Sequence, residues 1–202
     1  MRITSAGPLA KLAQREALSI PPNLSWPRQW GGPTRILKRA NGLLVGFNRG
    51  EWGGALIWYG NDGKQRKQLI DENLVELLPS DTGLTAFVGL AHLGMDSGRA
   101  VEVLETGGGF AVGRSVSLGS APDAVVREAS GSFLVATVKG LVRLPGDFKP
   151  VKLLESRWGI LYPTSIALDA KGTVYVGMRG GVARMTPVAG GYEVRWLLSP
   201  LE

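Results

Sequence analysis

The chain has 202 residues, 44% of them hydrophobic, a net charge of +6 and no cysteine. That length suits one domain with a short extension, and the apolar content allows a buried core. The absence of cysteine excludes disulfides, thiolate metal sites and cysteine nucleophiles, and no apolar run reaches the roughly 18 residues of a membrane-spanning helix.

Charge is unevenly spread. Residues 1–67 hold 11 Lys and Arg against 3 Asp and Glu, whereas residues 68–202 hold 12 against 14. A basic first third could attract a polyanion. Its basic residues are nevertheless scattered singly apart from Lys38–Arg39 and Lys64–Arg66–Lys67. Nothing resembles a recognition helix, a zinc finger or an aromatic RNA-binding strand, so nucleic acid is not the expected partner.

The first twenty residues contain Arg2, Lys11, Arg15 and Glu16 and no continuous apolar stretch, unlike a secretory signal peptide. The chain as given is therefore expected to be cytoplasmic, or periplasmic if a signal was removed ahead of it. Leu9, Leu12, Ala13 and Glu16 are spaced like a short amphipathic helix that Pro21 and Pro22 would end. Residues 1–25 read as an N-terminal extension, helical or frayed, and residues 26–202 as one all-β domain.

From residue 34 the chain repeats itself. Four segments share a strand, a turn glycine and a second strand, with Gly42, Gly83, Gly131 and Gly172 at intervals of 41, 48 and 41 residues. Each hairpin is followed by two further strand candidates. In chain order these are Ala55–Tyr59 and Gln65–Ile70, Arg99–Thr106 and Phe110–Leu118, Leu141–Leu144 and Val151–Leu154, and Val182–Thr186 and Tyr192–Leu198. An interval of about 40–45 residues per four strands is that of a β-propeller blade. The spacing predicts blades over about 34–70, 74–118, 124–154 and 165–198. A fifth would need residues 23–33 and a terminal strand. An irregular β-sandwich is the competing architecture, but a ring of blades better protects the edges of sixteen strands.

The phase of the repeat sorts the loops. Successive strands of a blade run antiparallel, so loops between its second and third strands emerge on the same face as the connections between blades. That face receives Asn48–Gly54, Ala91–Gly98, Lys139–Gly140, Arg179–Gly181, Gly119–Asp123 and Arg157–Pro163. The opposite face receives short Asn, Asp, Ser or Lys-Gly turns. The candidate contact set is thus Arg49, Glu51, Trp52, His92, Trp158, Tyr162 and Arg179, since aromatics and Arg dominate binding hot spots. Each has a plainer reading. Trp52 and Trp158 could pack between blades, Arg49 and Glu51 could pair, and His92 could be structural. A single His with no Cys makes a poor metal site, and no metal or cofactor is expected. Enzyme signatures such as a Gly-x-Ser-x-Gly elbow, a phosphate-binding loop or His-Glu-x-x-His are missing from the sequence. A triad of His92 with Asp96 or Asp123 would need only spatial proximity.

The hairpin Thr164–Gly177 resembles the repeating hairpin of bacterial propellers of the NHL, lactonase-like and two-component-regulator types. The blocks Gly50–Gly54, Gly89–Leu93, Leu161–Pro163 and Val176–Val182 are similar to those of bacterial propeller-like proteins. The resemblance implies the propeller fold over residues 34–198, in a chain shorter than the usual six- or seven-bladed members. Lactonase-type members carry an acidic, Asn-rich metal site on the channel axis. Asn48, Glu51 and Asn73 are the positions here that could contribute, short of a full ligand set.

Function is expected from the loops that the scaffold holds. The first expectation is a non-enzymatic binding propeller that recognises a protein or small ligand through its loop-rich face. The alternative is a hydrolase or lyase at the channel mouth, with Glu51 or His92 as general base and Arg179 as oxyanion stabiliser. A third is polyanion binding by the basic N-terminal third.

Overall fold

The computed structural model describes residues 24–26, 28, 31–156, 158 and 161–198. Sixteen strands form four separate four-stranded antiparallel sheets, each in simple sequential order. The first blade is β1 (Arg35–Arg39), β2 (Gly42–Asn48), β3 (Gly54–Tyr59) and β4 (Arg66–Ile70). The second is β5 (Leu74–Ser80), β6 (Gly83–His92), β7 (Met95–Thr106) and β8 (Gly109–Ser117). The third is β9 (Pro122–Arg127), β10 (Phe133–Thr137), β11 (Gly140–Leu144) and β12 (Val151–Glu155). The fourth is β13 (Ser165–Leu168), β14 (Val174–Met178), β15 (Gly181–Val188) and β16 (Gly191–Leu198). The blades expected from the repeat are the blades formed. The expected helix at residues 9–16 lies outside the described residues. The segment 23–33 lies partly outside them, and its described residues form no strand, so no fifth blade is present among the described residues.

The middle strands explain why the blades stack. In β2, Leu44 faces the second blade while Leu43, Val45 and Phe47 face the other way, so a strand apolar at nearly every position has both faces covered. Leu44, Leu56 and Trp58 meet Leu84, Ala86 and Val101 of the second blade. Phe87 and Ala100 on the reverse of that blade meet Phe133, Val135 and Leu144, with Phe87 and Phe133 edge to face at 5.2 Å. Leu134 and Leu141 of the third blade then meet Val174, Val176 and Met185 of the fourth. Full burial of one such aliphatic or aromatic side chain contributes roughly 1.5–3 kcal/mol, so these three interfaces hold the blades in order.

No core cluster joins the fourth blade back to the first among the described residues. The outward face of the first blade is covered by Leu24 and Trp26, the indole lying edge-on to Phe47 at 6.3 Å and to Tyr59 at 6.0 Å. The outward face of the fourth carries the cross-strand row Tyr175, Arg184 and Arg195. Its middle strands alternate apolar and polar, which is the pattern of a sheet with one covered face.

Gly42 shows what the hairpin turns require. It sits at φ +130°, and a Cβ there would stand 2.0 Å from the Tyr59 carbonyl oxygen. Only glycine admits both the angle and the approach of β3.

Candidate functional site

On the face shared by the β2–β3, β6–β7, β10–β11 and β14–β15 connections, one buried amide organises the first loop. Asn73 is 4% exposed. Its Oδ1 accepts from the Arg49 N–H at 3.0 Å, and its Nδ2 donates to the Gly50 carbonyl at 2.8 Å. The Arg49 N–H also meets the Gly53 carbonyl at 3.0 Å, and a 3-10 turn forms over Gly50–Trp52. With the backbone held from below, Glu51 and Trp52 are displayed outward, and Trp52 is 70% exposed.

The second loop is held to the first. The His92 Nε2 lies 2.6 Å from a Glu51 carboxylate oxygen. His92 and Met95 pair across a two-residue turn made by Leu93 at φ +45° and Gly94 at φ +85°. Such a turn needs positive φ at both positions, where Asn-Gly is the preferred pair. Leu93 occupies the Asn position and is 89% exposed, beside an exposed Met95. Three exposed apolar side chains, Trp52, Leu93 and Met95, thus flank the Glu51–His92 contact in sequence.

A second pair stands at the entrance to the fourth blade. Tyr162, at φ +49°, is exposed, and the Arg179 guanidinium lies 4.7 Å from its ring centroid. Contacts of this kind contribute about 0.5–1 kcal/mol when exposed. The Arg179 N–H donates to the Leu161 carbonyl at 2.6 Å, which ties the β14–β15 turn to the inter-blade connection.

The sequence-derived set therefore divides. Glu51, Trp52 and His92 come together, and Tyr162 and Arg179 come together. Arg49 contributes backbone bonds to the first loop. Trp158 is withdrawn from the surface: it is 2% exposed, packs between the third and fourth blades, and its indole N–H donates to the Thr137 carbonyl at 2.6 Å. Its position is that of the plainer interblade reading. The carboxylate beside His92 is Glu51 rather than Asp96 or Asp123, and no hydrogen bond joins Arg179 to Glu51 or His92 among the described residues. No group of three His, Asp or Glu side chains with metal-ligand geometry occurs among the described residues. The Asn73 amide is engaged by the β2–β3 loop.

Sequence reasoning placed Asp96 and Asp123 in loops without finding their surroundings. The Asp96 carboxylate accepts from the Ser120 hydroxyl at 2.9 Å, the Ala121 N–H at 2.7 Å and the Lys139 ammonium at 2.8 Å. Burial works to raise its pKa, but these donors outweigh it and leave the group below its ordinary value. No hydrogen-bond donor reaches the Asp123 Oδ2 among the described residues. Burial first, and the Asp96 charge second, push the Asp123 carboxyl up to about 7.

Neither a family model nor a curated protein matches the sequence. Solved structures do match the fold. A catalytically inactive variant of virginiamycin B lyase from Staphylococcus aureus with quinupristin superposes with a TM-score of 0.56 at 17% identity, over 88% of this chain and 59% of that one. The selenomethionine-substituted lyase from the same organism gives 0.54 at 16%, over 84% of this chain and 56% of that one. The chain thus spans less than two thirds of the length of these structures. No described helix is long and apolar enough to cross a membrane. At these identities the likeness is one of architecture: four four-stranded blades, stacked in chain order, give this chain the β-propeller fold.

Proposed function

We propose that the chain is a non-enzymatic binding propeller that recognises a protein partner through its loop-rich face. The observation that carries this reading is Leu93, a leucine 89% exposed at φ +45°. A non-glycine residue in the left-handed region costs roughly 1–2 kcal/mol, and an exposed leucine recovers none of it by burial in the free protein. A partner that covers Leu93 together with Trp52 and Met95 would supply that burial. Tyr162 repeats the pattern on the fourth blade, with an exposed ring at positive φ. Glu51 and His92 serve to brace the first cluster, and Arg179 braces the second. The arrangement favours binding over hydrolysis or elimination, because the Arg179 guanidinium lies over Tyr162 and no hydrogen bond joins it to Glu51 or His92 among the described residues.

The test separates recognition from stability. Leu93→Asn is expected to stabilise the protein by about 1 kcal/mol, because Asn tolerates positive φ, while reducing what affinity capture from cell extract retains. Trp52→Ala should reduce retention with little change in melting temperature. Identical retained proteins for wild type and both variants would defeat the reading.

A further inference from the structure

The innermost strands of all four blades converge on a cavity of about 230 Å³ at the loop-rich end of the channel. Its polar lining comes from Arg35 of β1, Glu76 of β5, Asp123 of β9 and Thr164 and Ser165 at the start of β13. Most of these groups are already engaged. Arg35 and Glu76 form a two-pronged pair, with Nε to Oε1 and Nη2 to Oε2 both at 2.7 Å. The Thr164 hydroxyl donates to the Gly177 carbonyl at 3.4 Å. Lys139, outside the lining, is held by Asp96 at 2.8 Å. Ser165 is exposed, whereas the Oδ2 of Asp123 is buried with no hydrogen-bond partner among the described residues. A buried polar atom left so is costly, and such a group calls for a partner.

The chemistry of the gap selects the ligand. When ionised, the free group is acceptor-only, so the partner it then needs is a donor. The positive charges around it, Arg35 and Lys139, are matched by Glu76 and Asp96, so an ionised Asp123 adds a carboxylate that none of these cations pairs with. A cationic donor answers both deficits, whereas an anion would answer neither. The remaining lining is Val75, Ala124, Val125 and Ile166. We propose that the channel mouth binds a small organic ammonium ion, its nitrogen donating to Asp123 and its apolar body lying against Val75, Val125 and Ile166. This site is independent of the exposed clusters on the rim and does not rest on their role.

Binding is coupled to protonation. The charged groups around Asp123 are Asp96 from β7, Lys139 from the β10–β11 turn, Arg35 from β1 and Glu76 from β5. Without ligand the carboxyl keeps its proton up to pH of about 7, and the ammonium ion takes the proton's place. Affinity should therefore rise about tenfold per pH unit below 7 and level off above it.

The experiment is calorimetric titration of the full chain with butylammonium and cyclohexylammonium from pH 5 to 8. Butanol, cyclohexanol, magnesium and calcium serve as comparisons. Both ammonium ions are expected to bind with the stated pH dependence, and the alcohols should bind at least tenfold more weakly. Asp123→Asn, which matches the shape of the protonated acid, should lose at least tenfold in ammonium affinity. Independently of any ligand, wild-type melting temperature should fall relative to that of Asp123→Asn as pH rises from about 4 to 7, because only the native carboxyl still holds its proton there. Absence of ammonium binding to folded wild type, equal binding to the variant, or preference for either divalent cation or for the alcohols would overturn the assignment.

Discussion

Trp158→Ala is expected to be the most damaging single substitution described in this protein, costing about 3–5 kcal/mol and lowering the melting temperature by roughly 10 °C. The indole is 2% exposed and belongs to the cluster that joins the third and fourth blades. Its removal opens a cavity between two sheets that cannot close without breaking their register. It also leaves the Thr137 carbonyl without the N–H that reaches it at 2.6 Å. Thermal unfolding followed by circular dichroism measures the effect. A melting temperature within about 2 °C of wild type, with loss of partner retention, would return Trp158 to the binding surface and contradict its buried placement.

Loss of Glu102 should come next. Glu102 is 4% exposed, on the face of the second blade that meets the third. Arg114 approaches it with Nε at 2.8 Å and Nη2 at 2.6 Å, while its own backbone N–H and the Thr82 hydroxyl bind the same carboxylate at 3.1 Å. The guanidinium also lies 4.8 Å from the Phe148 ring centroid, so the network spans two blades. Removing the carboxylate by Glu102→Ala is expected to cost about 2 kcal/mol at neutral pH, moderated by the solvent that reaches Arg114. Hydrogen bonding from Arg114 holds the Glu102 carboxyl down to about 2. A depressed carboxylate stabilises the native state above its unfolded pKa of about 4.3 and loses that contribution as pH falls towards 2. The difference between wild type and Glu102→Ala in urea unfolding should therefore be full at pH 7 and shrink at pH 2–3. A difference independent of pH would show that packing, rather than the ion pair, sets the cost.

Most of the scaffold was readable from the chain. A turn glycine every 41 to 48 residues, with strand-like runs between, located all four blades, because each first hairpin turns through a glycine at positive φ. The runs also encode burial. Leu43–Phe47 and Phe133–Thr137 are apolar or small throughout and lie between layers, whereas Val174–Met178 alternates and has one open face. Ring closure was not readable in the same way. It depends on whether two faces distant in the chain are complementary, and here one is covered by Leu24 and Trp26 while the other presents Tyr175, Arg184 and Arg195.

For the candidate sites, the order of residues determined which loops share a face, since antiparallel alternation follows from strand count alone. That placed Glu51, Trp52, His92, Tyr162 and Arg179 together at one end. Only the tertiary structure decided which of them touch. It brought Glu51 against His92 across 41 positions, set Arg179 over Tyr162, and withdrew Trp158 into an interface. It alone isolated Asp123, because the burial of a carboxyl on an innermost strand depends on where three other strands, far away in sequence, converge. Local periodicity is a property of neighbours along the chain. Distance, desolvation and an unanswered hydrogen bond are properties of neighbours in space.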